Sequence, residues 1–286
     1  MSNPLVSKKW LLARMYEPNM AIVDCRFQLG APEAGRTAYT ESHIPRAIYL
    51  DLESDLSAPI DEHGGRHPLP EPETLAKRLG RAGINNDSVV VAYDDQGGMY
   101  ASRLWLLLRW LGHEQVYVME EGFSAWQQDG YPITADQPVV IPSSFQPAVR
   151  DELIADVEDV RSATNNPDIL LVDSREAPRY LGQTEPIDAK AGHIPSAINA
   201  FWKNNLDAEG KWTSEEQRRA SLSEVIDALD AGREVIVYCG SGVSACPNIV
   251  ALHSLGYSNV RLYAGSWSDW ISYEENPVAT GKEEKA

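Results

Sequence analysis

Short, uninterrupted apolar runs alternate along this chain with segments of helical pattern. Residues 235–238, Val-Ile-Val-Tyr, are β-branched and aromatic with no polar break, as in a strand buried on both faces. Similar runs occupy residues 21–26, 87–93, 116–118, 170–175 and 259–262. Between them lie helical patterns: residues 8–15 behind a capping Ser7, residues 72–79 opened by Pro72, and the apolar stretch 101–111. Gly122 and Ser266 open two further helices that carry Trp126 and Trp270. Strands alternating with helices predict an α/β fold whose mostly parallel sheet is covered by helices on both faces.

The pattern occurs twice. His43-Ile-Pro-Arg-Ala47 returns as His193-Ile-Pro-Ser-Ala197, and the strand ending at Asp24 returns as the one ending at Asp173. The offsets at Asp24/Asp173, His43/His193, Tyr93/Tyr238 and Trp126/Trp270 are 149, 150, 145 and 144 residues. Near-constant offsets over four segments predict two tandem copies of one domain. The copies are expected at 1–132 and 147–286, joined by a linker over 133–146 that contains Pro138 and Pro142.

Composition narrows the function. With 42 acidic against 25 basic residues the net charge is −17, which argues against a nucleic-acid partner. An anionic substrate therefore needs locally placed arginine or lysine. No run approaches the roughly 20 apolar residues of a membrane span, and the first residues lack a signal-peptide pattern, so a cytoplasmic location is expected. Cys25, Cys239 and Cys246 are too few for a disulfide framework and lack zinc-ligand spacing. No metal and no cofactor is expected, since the glycine pairs form no dinucleotide fingerprint. The acidic tail after Glu274 is expected to be solvated.

Chemistry concentrates at Cys239-Gly-Ser-Gly-Val-Ser244, directly after the strand 235–238. In a parallel α/β sheet the carboxyl ends of the strands face the ligand. Gly240 and Gly242 let the backbone curl with its amides inward, and Ser244 is placed to cap the next helix. Amide donors and a positive helix end favour a thiolate and any anion formed on it. Arg175 and Arg179 offer guanidinium forks for an anionic substrate. A phosphatase-type Cys-x5-Arg loop is ruled out because Ala245 stands at the arginine position.

With the strand-end Asp-x-Arg, the two His-Ile-Pro-x-Ala segments, the cysteine loop and Gly265-Ser-Trp-Ser-Asp-Trp270, the chain resembles the tandem-domain rhodanese family of sulfurtransferases over nearly its whole length. The resemblance implies a silent first domain, with Asp94 at the cysteine position, and a catalytic second domain. It implies that Cys239 becomes a persulfide and that Ser241 assists at the donor. The substrate-binding set is then Arg175, Arg179, Gly240, Gly242, Val243 and Ser244. The neutral Gly240-Ser241 pair resembles the loop of 3-mercaptopyruvate-using members, whereas thiosulfate-preferring members carry basic residues there. The implied partners are a small anionic sulfur donor and a thiol, cyanide or thioredoxin-like acceptor. A sulfur-relay role without small-molecule turnover is the alternative. His43 and His193, shared by both copies, read as architectural. Cys25, Cys246, Trp267 and Trp270 read as core, and Trp202 or Trp212 as a candidate pocket wall.

Overall fold

The computed structural model describes residues 3–282. Two compact units are present, each with its own sheet. Among the described residues the first comprises 3–58, 70–150 and 206–212, and the second comprises 59–69, 151–205 and 213–282. Each unit thus incorporates a short segment from the opposite half of the chain.

In the first unit the strands are β1 (Leu5–Val6), β2 (Met20–Asp24), β3 (Ile48–Tyr49), β4 (Val89–Tyr93) and β5 (Val116–Met119). They form an all-parallel sheet in the order β1-β5-β4-β2-β3. The helices are α1 (Lys8–Arg14), α2 (Ala34–Glu41), α3 (Pro72–Arg81), α4 (Met99–Trp110) and α5 (Phe123–Gln128). Val90, Val91, Ala92 and Tyr93 are all fully buried. Because successive strand residues point to opposite faces, both faces of this sheet are covered. Ser7 caps α1 as its position predicted, with the Trp10 N–H donating to its Oγ at 3.2 Å.

The second unit repeats the plan with β6 (Ile154–Ala155), β7 (Ile169–Asp173), β8 (Ile198–Asn199), β9 (Glu234–Tyr238) and β10 (Val260–Tyr263), in the order β6-β10-β9-β7-β8. Its helices are α6 (Val157–Ala163), α7 (Ala177–Tyr180), α8 (Glu215–Ser221), α9 (Ser223–Asp230), α10 (Cys246–Ser254) and α11 (Ser266–Trp270). The register repeats too: Asp24 lies opposite Tyr93 in one sheet, and Asp173 opposite Tyr238 in the other.

The tandem α/β reading therefore stands. Residues 135–150 form neither helix nor strand, and their backbone is tied to the first unit by Ser143 N–H to Gly80 O (2.8 Å) and Ala148 N–H to Leu111 O (2.9 Å). The chain beyond Glu274 is less free than expected. Glu275 pairs with Arg161 at 2.7 Å, the Trp270 Nε1–H donates to Pro277 O at 2.8 Å, and Ala279 bridges to His193. Residues 283–286 of that tail lie outside the described residues.

Candidate active site

Strand β9 delivers Cys239 at its carboxyl end, and α10 begins seven residues later at Cys246. The residues between form a tight loop whose shape depends on Gly242. Its φ is +74°, and a side chain there would drive into the Ala264 carbonyl. Gly240 acts differently from expectation, because its φ is not left-handed and its value is space. A Cβ at Gly240 would lie 2.9 Å from one guanidinium nitrogen of Arg66 and 3.5 Å from one of Arg179. Ser244 does not cap the helix: Ala245 occupies the cap position, and Pro247 fills the first turn without needing an acceptor.

Cys239 is buried and held from the α11 side. Its N–H donates to Ser266 Oγ at 3.0 Å. The Trp267 N–H donates to Cys239 O at 3.0 Å, and the Ser268 N–H to Gly240 O at 2.9 Å. Ser266 adopts φ +57°, a costly conformation for a non-glycine residue, which places its hydroxyl 4.0 Å from Cys239 Sγ.

The first unit shows what such a loop binds. Asp94 occupies the cysteine position, 145 residues earlier. Its buried carboxylate accepts from the backbone N–H groups of Gln96 (2.9 Å), Gly98 (2.8 Å), Tyr100 (2.8 Å) and Ala101 (3.0 Å). Burial holds its carboxyl above the ordinary carboxylate range, and these four donors oppose that rise without cancelling it. In the second unit the N–H groups of Gly240, Ser241, Val243 and Ser244 meet no protein acceptor among the described residues. In the first unit the loop amides hold an anion; in the second the corresponding amides have no protein acceptor to hold among the described residues.

Two arginines expected together at the site separate in role. Arg175 has a fully buried side chain and is spent internally, on Asp173 (2.6 Å), Glu185 (3.3 Å) and the Gly192 carbonyl (2.6 Å). Burial opposes its charge, but Asp173 more than compensates and holds its pKa above the ordinary value. Arg26 repeats this brace in the first unit, with Asp24 (2.6 Å) and Ser42 O (2.7 Å). Recurrence in both copies marks the brace as architecture, and the Arg175 guanidinium is taken up by it rather than turned toward a substrate. Arg179 remains partly exposed, paired with Glu185 at 2.8 Å and Asp188 at 3.0 Å, with its guanidinium above Gly240.

Two residues at the loop were missed, and both come from the segment 59–69. His67 is buried, with Nδ1 2.8 Å from Ser241 Oγ. Arg66 pairs with Asp188 and lies against Gly240. No periodicity announces this segment. The available signal was the internal repeat, because Gly65-Arg66-His67 aligns with Gly210-Lys211-Trp212 at the same offset of 145 residues. Those residues enter the first unit, where Trp212 Nε1 lies 2.9 Å from a Cβ built on Gly98 and Lys211 is 3.7 Å from Glu121. Trp212 therefore packs on the loop after Asp94, while Trp202 is buried in the second unit.

The two motif histidines are architectural, as expected. His43 Nδ1 lies 2.7 Å from Tyr39 O, and His193 Nδ1 2.7 Å from Tyr180 O, each ring stacked on that tyrosine at 4.0 and 3.9 Å. Cys25, Cys246, Trp267 and Trp270 are core residues.

Comparison with known proteins agrees with this geometry. The model of the rhodanese-like domain matches residues 7–129 and again 156–273. A probable 3-mercaptopyruvate sulfurtransferase of Pseudomonas aeruginosa is 43% identical over 285 residues, which is 98% of this chain and 99% of that protein. A thiosulfate sulfurtransferase of Rattus norvegicus is 32% identical over 99% of this chain and 97% of its own. Among solved structures, the 3-mercaptopyruvate sulfotransferase SseA of Escherichia coli superposes with a TM-score of 0.81 at 30% identity, covering 93% of this chain and 100% of that one. With a matching domain in each half and the loop intact in the second, the chain belongs to the rhodanese family.

Proposed function

We propose that this protein is a sulfurtransferase that moves a sulfane sulfur from 3-mercaptopyruvate or thiosulfate to a thiol or cyanide through a persulfide on Cys239. The observation that carries the reading is the loop after Cys239, whose backbone N–H groups at Gly240, Ser241, Val243 and Ser244 meet no protein acceptor among the described residues, set against the four amides that bind the Asp94 carboxylate at the matching position. In the first step the Cys239 thiolate attacks the donor's sulfur. An S–S bond forms, and the donor's bond to that sulfur breaks, releasing pyruvate as its enolate or releasing sulfite. The amides of Gly240, Ser241, Val243 and Ser244 stabilise the anionic persulfide, and Gly242 sets the curl that aims them. In the second step the acceptor attacks the outer sulfur and Cys239 leaves as thiolate.

Ser241 donates to the oxygen on which the departing enolate's charge gathers. His67, 2.8 Å away, orients that hydroxyl and resupplies its proton. Arg179 meets the donor's anionic group. Sulfite needs no proton to depart, so the His67–Ser241 pair matters more for mercaptopyruvate. The thiolate and persulfide call for a reduced compartment such as the cytoplasm, where a small thiol or a thioredoxin-like protein is the acceptor. The catalytic domain expected at 147–286 takes in the segment 59–69 and gives up 206–212, which completes the silent domain expected at 1–132; the stretch 133–146, expected as linker, packs with that first unit.

Cyanide-dependent thiocyanate formation with each donor, using Cys239→Ser as blank, tests this. Turnover with either donor, absent in the blank, is expected, together with a kcat for mercaptopyruvate about 100-fold lower in His67→Ala. Equal rates in wild type and blank would dismiss the assignment.

A further inference from the structure

We propose that Asp269 is a positioning residue for the His67–Ser241 pair. Its carboxylate clips the segment 59–69 to α11 and so sets where His67 stands beside Ser241. The proposal rests on the sulfurtransferase reading above and extends it to a residue that acts through its neighbours.

The segment depends on an outside anchor. It contains no helix or strand, and residues 63–66 make no backbone–backbone hydrogen bond among the described residues. Backbone groups without a ladder take their partners from side chains. Helix α11 and the turn behind it supply them. The Gly64 N–H donates to Asp269 Oδ1 at 2.7 Å, and the Arg66 N–H to Ser268 Oγ at 3.1 Å. His63 Nδ1 lies 2.8 Å from Ser272 Oγ, and its exposed ring stacks on Tyr273 at 4.0 Å. Gly65, at φ +76°, sits so close to Gly265 that a side chain would collide with its carbonyl oxygen. His67 follows three residues after Gly64, with Nδ1 2.8 Å from Ser241 Oγ.

Among these anchors Asp269 is the buried acid. A buried carboxylate accepting from a backbone N–H makes a stronger bond than a hydroxyl or an exposed ring does. Its other oxygen is fixed from β10, where the Tyr263 O–H donates to Oδ2 at 2.6 Å. Burial and the Asp269 charge raise the Tyr263 pKa, so that phenol stays a donor. Gly265 leaves room for the carboxylate, because a Cβ there would lie 2.5 Å from Asp269 Oδ2. A continuous path therefore runs from Tyr263 through Asp269 and Gly64 to His67.

The silent copy has other residues at these positions. At the offset of 144 residues set by Trp126 and Trp270, Tyr263 and Asp269 correspond to Met119 and Ala125. An alanine side chain offers no acceptor and a thioether no donor. The aspartate and tyrosine occur where a histidine is placed beside a serine, and they are replaced where Trp212 packs instead. An anchor needed only for folding would be expected in both copies, as the Arg26 and Arg175 braces are.

The test uses Asp269→Ala, with Asp269→Asn and Tyr263→Phe as milder variants, each alone and combined with His67→Ala. With 3-mercaptopyruvate, Asp269→Ala is expected to lower kcat about 10-fold, and Asp269→Asn to recover part of that, since its amide oxygen still accepts the Gly64 N–H. The loss with thiosulfate should be several-fold smaller. In the His67→Ala background Asp269→Ala should cost no further kcat, because a residue acting through His67 has nothing left to position. Hydrogen exchange followed by mass spectrometry reads the clip without turnover. Peptides covering 59–69 should exchange at least about 10-fold faster in Asp269→Ala, while those covering 234–245 keep their protection. Equal kcat losses with both donors, full additivity with His67→Ala, or unchanged exchange over 59–69 would overturn the proposal. If Asp269→Ala does not fold, Asp269→Asn and Tyr263→Phe carry the same comparisons with smaller effects. If wild type turns over neither donor, the sulfurtransferase reading fails by itself, and exchange over 59–69 still decides whether Asp269 holds the segment.

Discussion

At the scale of single residues, the contrast between Asp94 and Cys239 explains the most. Both stand at the carboxyl end of the central strand and open a glycine loop that leads into a helix. Asp94 fills its cradle with a carboxylate that accepts four backbone N–H groups. Cys239 leaves its cradle open to an anion that forms and disappears during turnover. Asp94→Ala should therefore destabilise the protein by about 3 kcal/mol, since buried donors lose a charged acceptor. Urea denaturation measures this, and an unchanged midpoint would show that the carboxylate is incidental. The cysteine was legible in the sequence because its chemistry is local: a strand, a glycine loop and a helix lie consecutively. Arg66 and His67 were not legible, because their meaning depends on a segment more than 170 residues from Ser241 folding into the same unit. Arg175 misled for the related reason that an arginine after a strand reads alike whether it faces substrate or braces its own aspartate.

At the scale of elements, the buried strands and longer helices followed from hydrophobic pattern, and their boundaries moved by only a residue or two. Elements with little pattern to read went unnoticed, among them the two-residue edge strands β1, β3, β6 and β8 and α2, whose sequence Ala-Gly-Arg-Thr-Ala-Tyr-Thr-Glu carries few apolar positions; the second-unit helices α6, α7, α8 and α9 were not read either, although α6 and α8 open on capping boxes. These short elements are held by tertiary contacts rather than by propensity. Helix α11 is short as well, yet it bonds the Cys239 and Gly240 carbonyls and receives the backbone of residues 64–66. The loop is built tightly against its own neighbours, so Gly242→Ala should fail in two ways at once. Strain at positive φ and collision with the Ala264 carbonyl should cost at least about 2 kcal/mol of stability and displace the amides from the persulfide. A variant with near-normal melting and near-normal thiocyanate production would mean that the curl is not required.

At the scale of the whole molecule, duplication supplied two equal frames that were then furnished differently. The repeat was plain in the sequence from four matched segments, and the parallel register confirms it strand by strand. The sequence order concealed that each unit takes one segment from the opposite half. One such segment brings Arg66 and His67 to the loop after Cys239, and the other brings Lys211 and Trp212 to the loop after Asp94. A thiol alone should therefore not awaken the first unit, because Trp212 packs on Gly98 where chemistry would need polar groups. The double variant Asp94→Cys, Cys239→Ser is expected to form no thiocyanate above the Cys239→Ser blank. Turnover within tenfold of wild type would show that cradle and cysteine suffice without the imported pair.

The central claim is that Cys239 itself carries the sulfur between donor and acceptor. Its most direct test is intact-protein mass spectrometry after brief exposure to 3-mercaptopyruvate without acceptor, followed by peptide mapping and then addition of cyanide. The account predicts the gain of one sulfur atom per chain, mapped to Cys239, lost again on cyanide addition and absent in Cys239→Ser. Sulfur found on Cys25 or Cys246, or turnover with no mass gain on Cys239, would contradict it.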